Sequence, residues 1–161
     1  VSISTDQIVA TGDEAEQLIK DAINYGTLCV SAEAVGSMES CYLKTVEYTK
    51  SREQFGQPIS NFQVLQHKMV DMFIEFELCK PLLYKSMIDM HENNDSKYRS
   101  VSALKSQVGL SGKKVGEDAV QLHGGMGVSE EMSIGHYLKR FISIDSQFGN
   151  SHFHLKKFNN S

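Results

Sequence analysis

The sequence predicts an all-α protein, a four-helix up-down bundle of long antiparallel helices, on three observations. Apolar residues recur at steps of three and four along several long segments, the mark of one buried face on a helix. Only two prolines interrupt 161 residues, so long helices are not broken by the strongest interior breaker. No stretch alternates with period two for long enough to make a strand, and short polar connections between the segments favour antiparallel neighbours.

Residues 1–12, with Val1, Ile3, Ile8 and Val9, read as an extended stretch that ends at Gly12. Asp13 then stands where a helix cap would, with Glu14 and Glu16 in the first turn, near the positive end of the helix dipole. The stripe Leu18, Ile19, Ile23, Cys29, Val35, Met38, Leu43 and Val46 predicts a helix over 14–50, a rod of roughly 55 Å at ~1.5 Å per residue. Gly26 and Gly36 inside it point to close packing of another element. Gly56-Gln57-Pro58 punctuates the chain, and Ser60 or Asn61 can cap a second helix. Its stripe runs Phe62, Leu65, Met69, Met72, Phe73, Phe76, Leu83, Met87 and Met90, with Pro81 predicting a kink or local rearrangement. After the polar loop 92–96 a third helix covers 97–122, with Val101, Leu104, Val108, Val115, Ala119 and Leu122 inward. A fourth covers 132–148.

Composition excludes several functions. Sixteen basic against twenty acidic residues give a net charge of −4, without the concentrated basic face of a nucleic-acid binder. No apolar run approaches the roughly 20 residues of a membrane span, and residues 1–12 lack a signal-peptide pattern. Cys29, Cys41 and Cys79 are far apart with no CxxC pair, and read as small apolar residues in a reducing compartment. A cytoplasmic protein is therefore expected. No metal site is expected either: there is no HExxH, and His152 with His154 supplies too few ligands. The absent initiator methionine suggests an excised piece.

Two short segments carry chemistry. In His123-Gly124-Gly125-Met126-Gly127 the glycines allow close backbone approach and leave amides free for anionic oxygens, although a helix stop followed by a turn has the same look. Arg52 at the end of the first helix could fork onto a phosphate or simply offset the helix dipole. Phe62-Gln63 adds an apolar plate and an amide. Taken in order, Arg-x-x-Phe-Gly at 52–56, Phe62-Gln63, Asp71-Met72 and Gln121-x-His-Gly-Gly-x-Gly resemble the carboxy-terminal helical domain of the acyl-CoA dehydrogenases. The resemblance covers essentially the whole chain, with 1–12 as a linker from a missing β-domain and 13–161 as the helical bundle.

This resemblance implies flavin adenine dinucleotide (FAD) as cofactor and α,β-dehydrogenation of an acyl-CoA thioester, in fatty-acid metabolism, as the reaction of the whole protein. It implies that Arg52 pairs with the cofactor pyrophosphate, that Phe55 and Gln63 contact its adenosine side, and that Gln121, Gly124 and Gly125 give polar and close backbone contacts there. An electron-transfer flavoprotein or similar acceptor, and a homo- or hetero-oligomer (dimer or tetramer), come with it. The chain departs from the family at the catalytic base. Gly149 and Gly26 stand at the two positions where members carry the proton-abstracting glutamate; Asp145 and Glu33 are the nearby carboxylates. The ending Phe-Gly-Asn-Ser resembles a bacterial subgroup, some of whose members form mixed pairs in which the partner can contribute the base. Two functions follow: part of a dehydrogenase completed by residues outside this chain, or a non-catalytic FAD-binding and assembly subunit. The bundle alone is expected to be inactive and to hold little flavin.

Overall fold

A computed structural model describes residues 4–160. Val1 and Ile3 lie outside that range. Of the expected extended lead-in, one 3₁₀ turn forms at Thr5–Gln7. Four long rods then pack as an up-down bundle. α1 spans Gly12–Ser51, α2 Gln63–His91 and α3 Lys97–His123. The fourth rod is broken into α4, Ser133–Ser146, and α5, Ser151–Asn159. The sequence reading placed a single helix there and missed α5. Between α1 and α2 lies a two-residue hairpin, β1 Glu53–Gln54 paired antiparallel with β2 Gln57–Pro58, with Glu53 opposite Pro58.

Side-chain contacts fix the directions. Lys97 meets Asp21 at 3.3 Å near the starts of α3 and α1, and Tyr48 meets His123 near their ends, so these two run parallel. Thr49 Oγ1 reaches Met69 Sδ at 3.2 Å, and Lys68 reaches Asp118 at 2.5 Å, so α2 is antiparallel to both. Glu33 pairs with Arg140, and Ser40 with Tyr137 at 2.8 Å, so α4 is antiparallel to α1. α5 continues in the direction of α4, with Phe158 over Arg99 at the start of α3.

α3 is the axis of the bundle because its sequence is small on one side. Gly109, Gly112 and Gly116 let α4 close in: a Cβ on Gly116 would lie 3.0 Å from both Leu138 and Phe141. All six residues expected inward on α3 are buried. α2 is continuous through Pro81, which sits on the exposed side, and Met72, Phe76, Leu83 and Met90 face the core. The caps differ from expectation: Thr11 precedes α1 and Phe62 precedes α2, so Asp13 lies inside its helix and Ser60 and Asn61 form a 3₁₀ turn instead.

Several stripe residues turn outward. Leu18, Ile19, Ile23 and Leu43 on α1 are about half exposed, as are Phe73 and Met87 on α2. Cys41 and Cys79 are buried, which pushes their thiols up to about 12 and about 11, whereas Cys29 is exposed rather than a core residue. Val70, Phe73, Ile74, Leu78, Tyr84 and Ile88 leave an apolar band along the outside of α2.

Burial holds His123 and His154 below their ordinary 6.5. The unfolded chain therefore takes up protons that the folded chain does not as pH falls below about 6.5, and stability drops; below about pH 4, loss of the ion-paired Glu33 and hydrogen-bonded Asp21 carboxylates adds to it. Urea midpoints measured between pH 7.5 and 5.5 should fall, with a slope approaching about 1.4 kcal/mol per pH unit for each histidine, and His154→Gln should flatten that slope; an unchanged slope would contradict this.

Candidate functional site

Two cavities lie at opposite ends of α1. From Gly26 to Arg52, α1 covers ~39 Å, so they are separate sites.

The first is a cradle of about 450 Å³ at the hairpin end, where α1 and α3 both stop. Arg52, Gln121, Gly124 and Gly125 line it together, as the sequence motifs imply. The α1 helix ends because the hairpin begins: Arg52 N–H closes the last turn on the Tyr48 carbonyl at 2.8 Å, and Ile59 N–H returns to the Arg52 carbonyl at 2.8 Å. The guanidinium of Arg52 has no hydrogen bond or ion pair among the described residues, and it is the one charged side chain lining the cavity. α3 stops at Gly124, whose φ of +58° suits glycine, and a Cβ on Gly124 or Gly125 would meet open space. Those backbone amides are thus approachable by a ligand. Gly127 is different: a Cβ there would lie 2.6 Å from the Val120 carbonyl, so this glycine serves packing.

Phe55 and Gln63 do not line the cradle but flank it. Phe55 and Gly56 form the tip of the hairpin with φ of +55° and +80°, as a two-residue type I′ turn requires. Positive φ is rare for a bulky side chain, and here it holds the Phe55 ring 91% exposed, edge-on to Phe62 at 6.0 Å. Gln63, exposed, is the first residue of α2 beside it. The sequence reading missed Tyr48, Gln54, Ile59 and Met126 as lining residues. Tyr48 could have been found from its place one turn before Arg52.

The second cavity is a groove of about 520 Å³ between the first half of α1 and the break in the fourth rod. Ile19, Ile23, Phe148 and Phe153 give its apolar lining, and Glu16, Lys20 and Lys157 its charged lining. Burial and the neighbouring Lys20 hold Lys157 below the usual lysine range. His154 lines it from below; its Nε2–H donates to the Phe148 carbonyl at 3.0 Å, so Nδ1 is the free acceptor nitrogen.

The break itself is built on hydrogen bonds. Lys105, fully buried on α3, donates to the carbonyls of Asp145 at 3.0 Å and Gly149 at 2.9 Å. Asp145 Oδ1 accepts from Ser151 N–H at 2.8 Å, and Asn150 caps α5 by accepting from Phe153 N–H at 2.9 Å. Phe148 and Gly149 take φ of +57° and +100° to turn the chain.

The two glycines expected at the base positions do not line this groove; each lies under one of its aromatic walls. A Cβ on Gly26 would lie 2.7 Å from the Phe148 ring, and one on Gly149 would lie 2.5 Å from the Phe153 ring. The two carboxylates named as nearby are committed elsewhere. Glu33 takes a bidentate pair from Arg140 at 2.6 and 2.7 Å, which holds its carboxyl below the usual range. Asp145 caps α5. His152 is exposed whereas His154 is buried, and no group of three potential metal ligands occurs among the described residues.

Long helices packed around a small-faced axis, with a glycine-edged cavity lined by one cation at one end, define a helical-bundle domain. The chain belongs to the acyl-CoA dehydrogenase family and corresponds to its C-terminal domain, which residues 17–157 match. It is 32% identical over 130 residues to the acyl-CoA dehydrogenase IpdE2 of Mycobacterium tuberculosis, covering 80% of this chain and 39% of that protein. With the short-chain-specific acyl-CoA dehydrogenase of Megasphaera elsdenii it shares 28% identity over 141 residues, 86% of this chain and 36% of that one. The butyryl-CoA dehydrogenase structure from Megasphaera elsdenii superposes with a TM-score of 0.81 at 28% identity, over 86% of this chain and 36% of that chain. An FAD complex of PigA superposes at 0.89 over 98% of this chain and 41% of that one, at 23% identity, which shows the fold. The chain thus spans between 36% and 41% of the length of these relatives.

Restoring a carboxylate at Gly149 should fail on packing grounds. Gly149→Glu must fit a side chain at φ +100° against Phe153, and should lower stability by about 2–4 kcal/mol, read as a drop in Tm. A Tm equal to that of the unaltered protein would show that the break can open.

Proposed function

We propose that this chain is the C-terminal bundle of a flavin-dependent acyl-CoA dehydrogenase, with 1–12 as linker and 13–161 as the helical domain, contributing FAD contacts and an oligomer interface. The cradle carries this reading. A diphosphate presents paired oxygens that a guanidinium grips bidentately, and the glycine turn lets backbone amides approach the same charge. Arg52 holds the pyrophosphate, Gln121, Gly124 and Gly125 complete the polar edge, and exposed Phe55 with Gln63 offers a stacking face and an amide to the adenosine end. These residues fit the group: the cation is free, and no Cβ fills the approach to Gly124 or Gly125. FAD when bound supplies hydride acceptance at its ring.

The groove suits an acyl thioester. Its apolar walls take an acyl or pantetheine segment out of water, while Lys20 and Lys157 in its lining suit anionic phosphate groups of coenzyme A. Electrons would leave to an electron-transfer flavoprotein or similar acceptor. No helix of the described residues is long and apolar enough to cross a membrane. We assign a cytoplasmic location on the unpaired spacing of Cys29, Cys41 and Cys79.

The closed base positions favour a second reading, a non-catalytic FAD-binding and assembly subunit of a heteromeric dehydrogenase. A base must reach the proton it removes, and neither Gly26 nor Gly149 offers one. Acyl-CoA-dependent flavin bleaching by the homo-oligomer alone would sink that second reading. For association, the band on α2 is the surface we assign. Ile88→Glu in the complete gene product should lower its sedimentation mass, and an unchanged mass would remove this assignment.

Arg52→Ala tests the reading as a whole. In the complete gene product it should weaken FAD binding at least tenfold, about 1.4 kcal/mol, in a fluorescence titration. Unchanged flavin affinity would overturn the cofactor assignment.

A further inference from the structure

We propose that Tyr48 and His123 are the positioning pair of the cradle, holding Arg52 at the end of α1 and the Gly124–Gly125 turn after α3 on the same side of one cavity; this rests on the FAD reading above. The two rings stack with centroids 4.1 Å apart and planes at 21°. The Tyr48 hydroxyl donates to the His123 carbonyl at 3.4 Å. A carbonyl only accepts, so the 2.8 Å contact between His123 Nδ1 and the Ala119 carbonyl fixes the proton on Nδ1 and locks the ring against the last turn of α3. On the other side, the Tyr48 carbonyl accepts from Arg52 N–H at 2.8 Å.

The result is an unbroken line of contacts, Ala119 to His123 to Tyr48 to Arg52, that crosses from α3 to α1. Both halves of the cradle hang from it. Arg52 follows Tyr48 by one turn, and Gly124 follows His123 directly. Burial keeps His123 neutral, so Arg52 remains the source of charge and the pair acts through it.

A double-mutant cycle on the flavin-stripped complete gene product separates positioning from mere stability. FAD affinity is read by fluorescence, with inorganic pyrophosphate as competitor. Tyr48→Leu should weaken FAD about tenfold, whereas Tyr48→Phe, which keeps the stack, should stay within about threefold of the unaltered protein. In an Arg52→Ala background, Tyr48→Leu should add less than about twofold, because the residue it positions is gone. Equal effects in both backgrounds, or unaltered affinity in Tyr48→Leu, would overturn the proposal. If Arg52→Ala itself has no effect, the FAD reading falls; if Arg52→Ala weakens binding and Tyr48→Leu does not, the positioning pair alone falls. Should Tyr48→Leu not fold, His123→Gln carries the same cycle.

Discussion

A buried ammonium holds the fourth rod of this bundle together where it breaks, and much of the rest follows from that. The end of a helix leaves carbonyls without partners, and a break inside a packed protein leaves them where water cannot reach. Lys105 meets this need from the neighbouring helix, donating to the carbonyls of Asp145 and Gly149 with none of its surface exposed. Burying a charge is costly unless it is hydrogen-bonded, and burial does push the lysine pKa down. Two strong acceptors offset that cost. With the break secured, Phe148 can swing across Gly26 and Phe153 across Gly149, and a groove opens where a continuous helix would have filled the space.

α3 makes the arrangement possible. Its glycines at 109, 112 and 116 bring α4 close enough for a lysine one helix away to reach backbone carbonyls. The same closeness leaves α1 and α2 to cover the other sides, and their stripes are wider than one core can bury. The surplus on α1 lines the groove, and the surplus on α2 faces outward. The excess apolar face follows from a core already filled by the inward residues of α2 and α3.

Much of the architecture was legible in the pattern of residues. Period, proline count and loop polarity predicted all-α and four rods, since helix burial depends on spacing within one segment. The motif residues Arg52, Gln121, Gly124 and Gly125 were legible too, and they do line one cavity. What escaped was α5 and the break before it. Phe148 reads locally as the tail of a helix; the contacts that turn the chain there come from Lys105, 44 residues from Gly149, and from His154, six residues past Phe148 in an α5 that the apolar spacing did not reveal. Lys105 gave no sign of its place, because lysine in a helical stripe reads as surface. The pairing of Glu33 with Arg140, 107 residues away, is likewise a property of the packed helices.

Sequence by itself determined the class of fold and the family, because both rest on the order and spacing of residues within continuous segments. Tertiary structure alone decided that Gly26 and Gly149 each lie under an aromatic ring. Gly26 and Gly149 are 123 positions apart in a count of the chain, and their identity says only that no carboxylate is present. Their closure by Phe148 and Phe153 depends on two rods meeting at a break, and steric exclusion between rings and backbone is a property of that meeting.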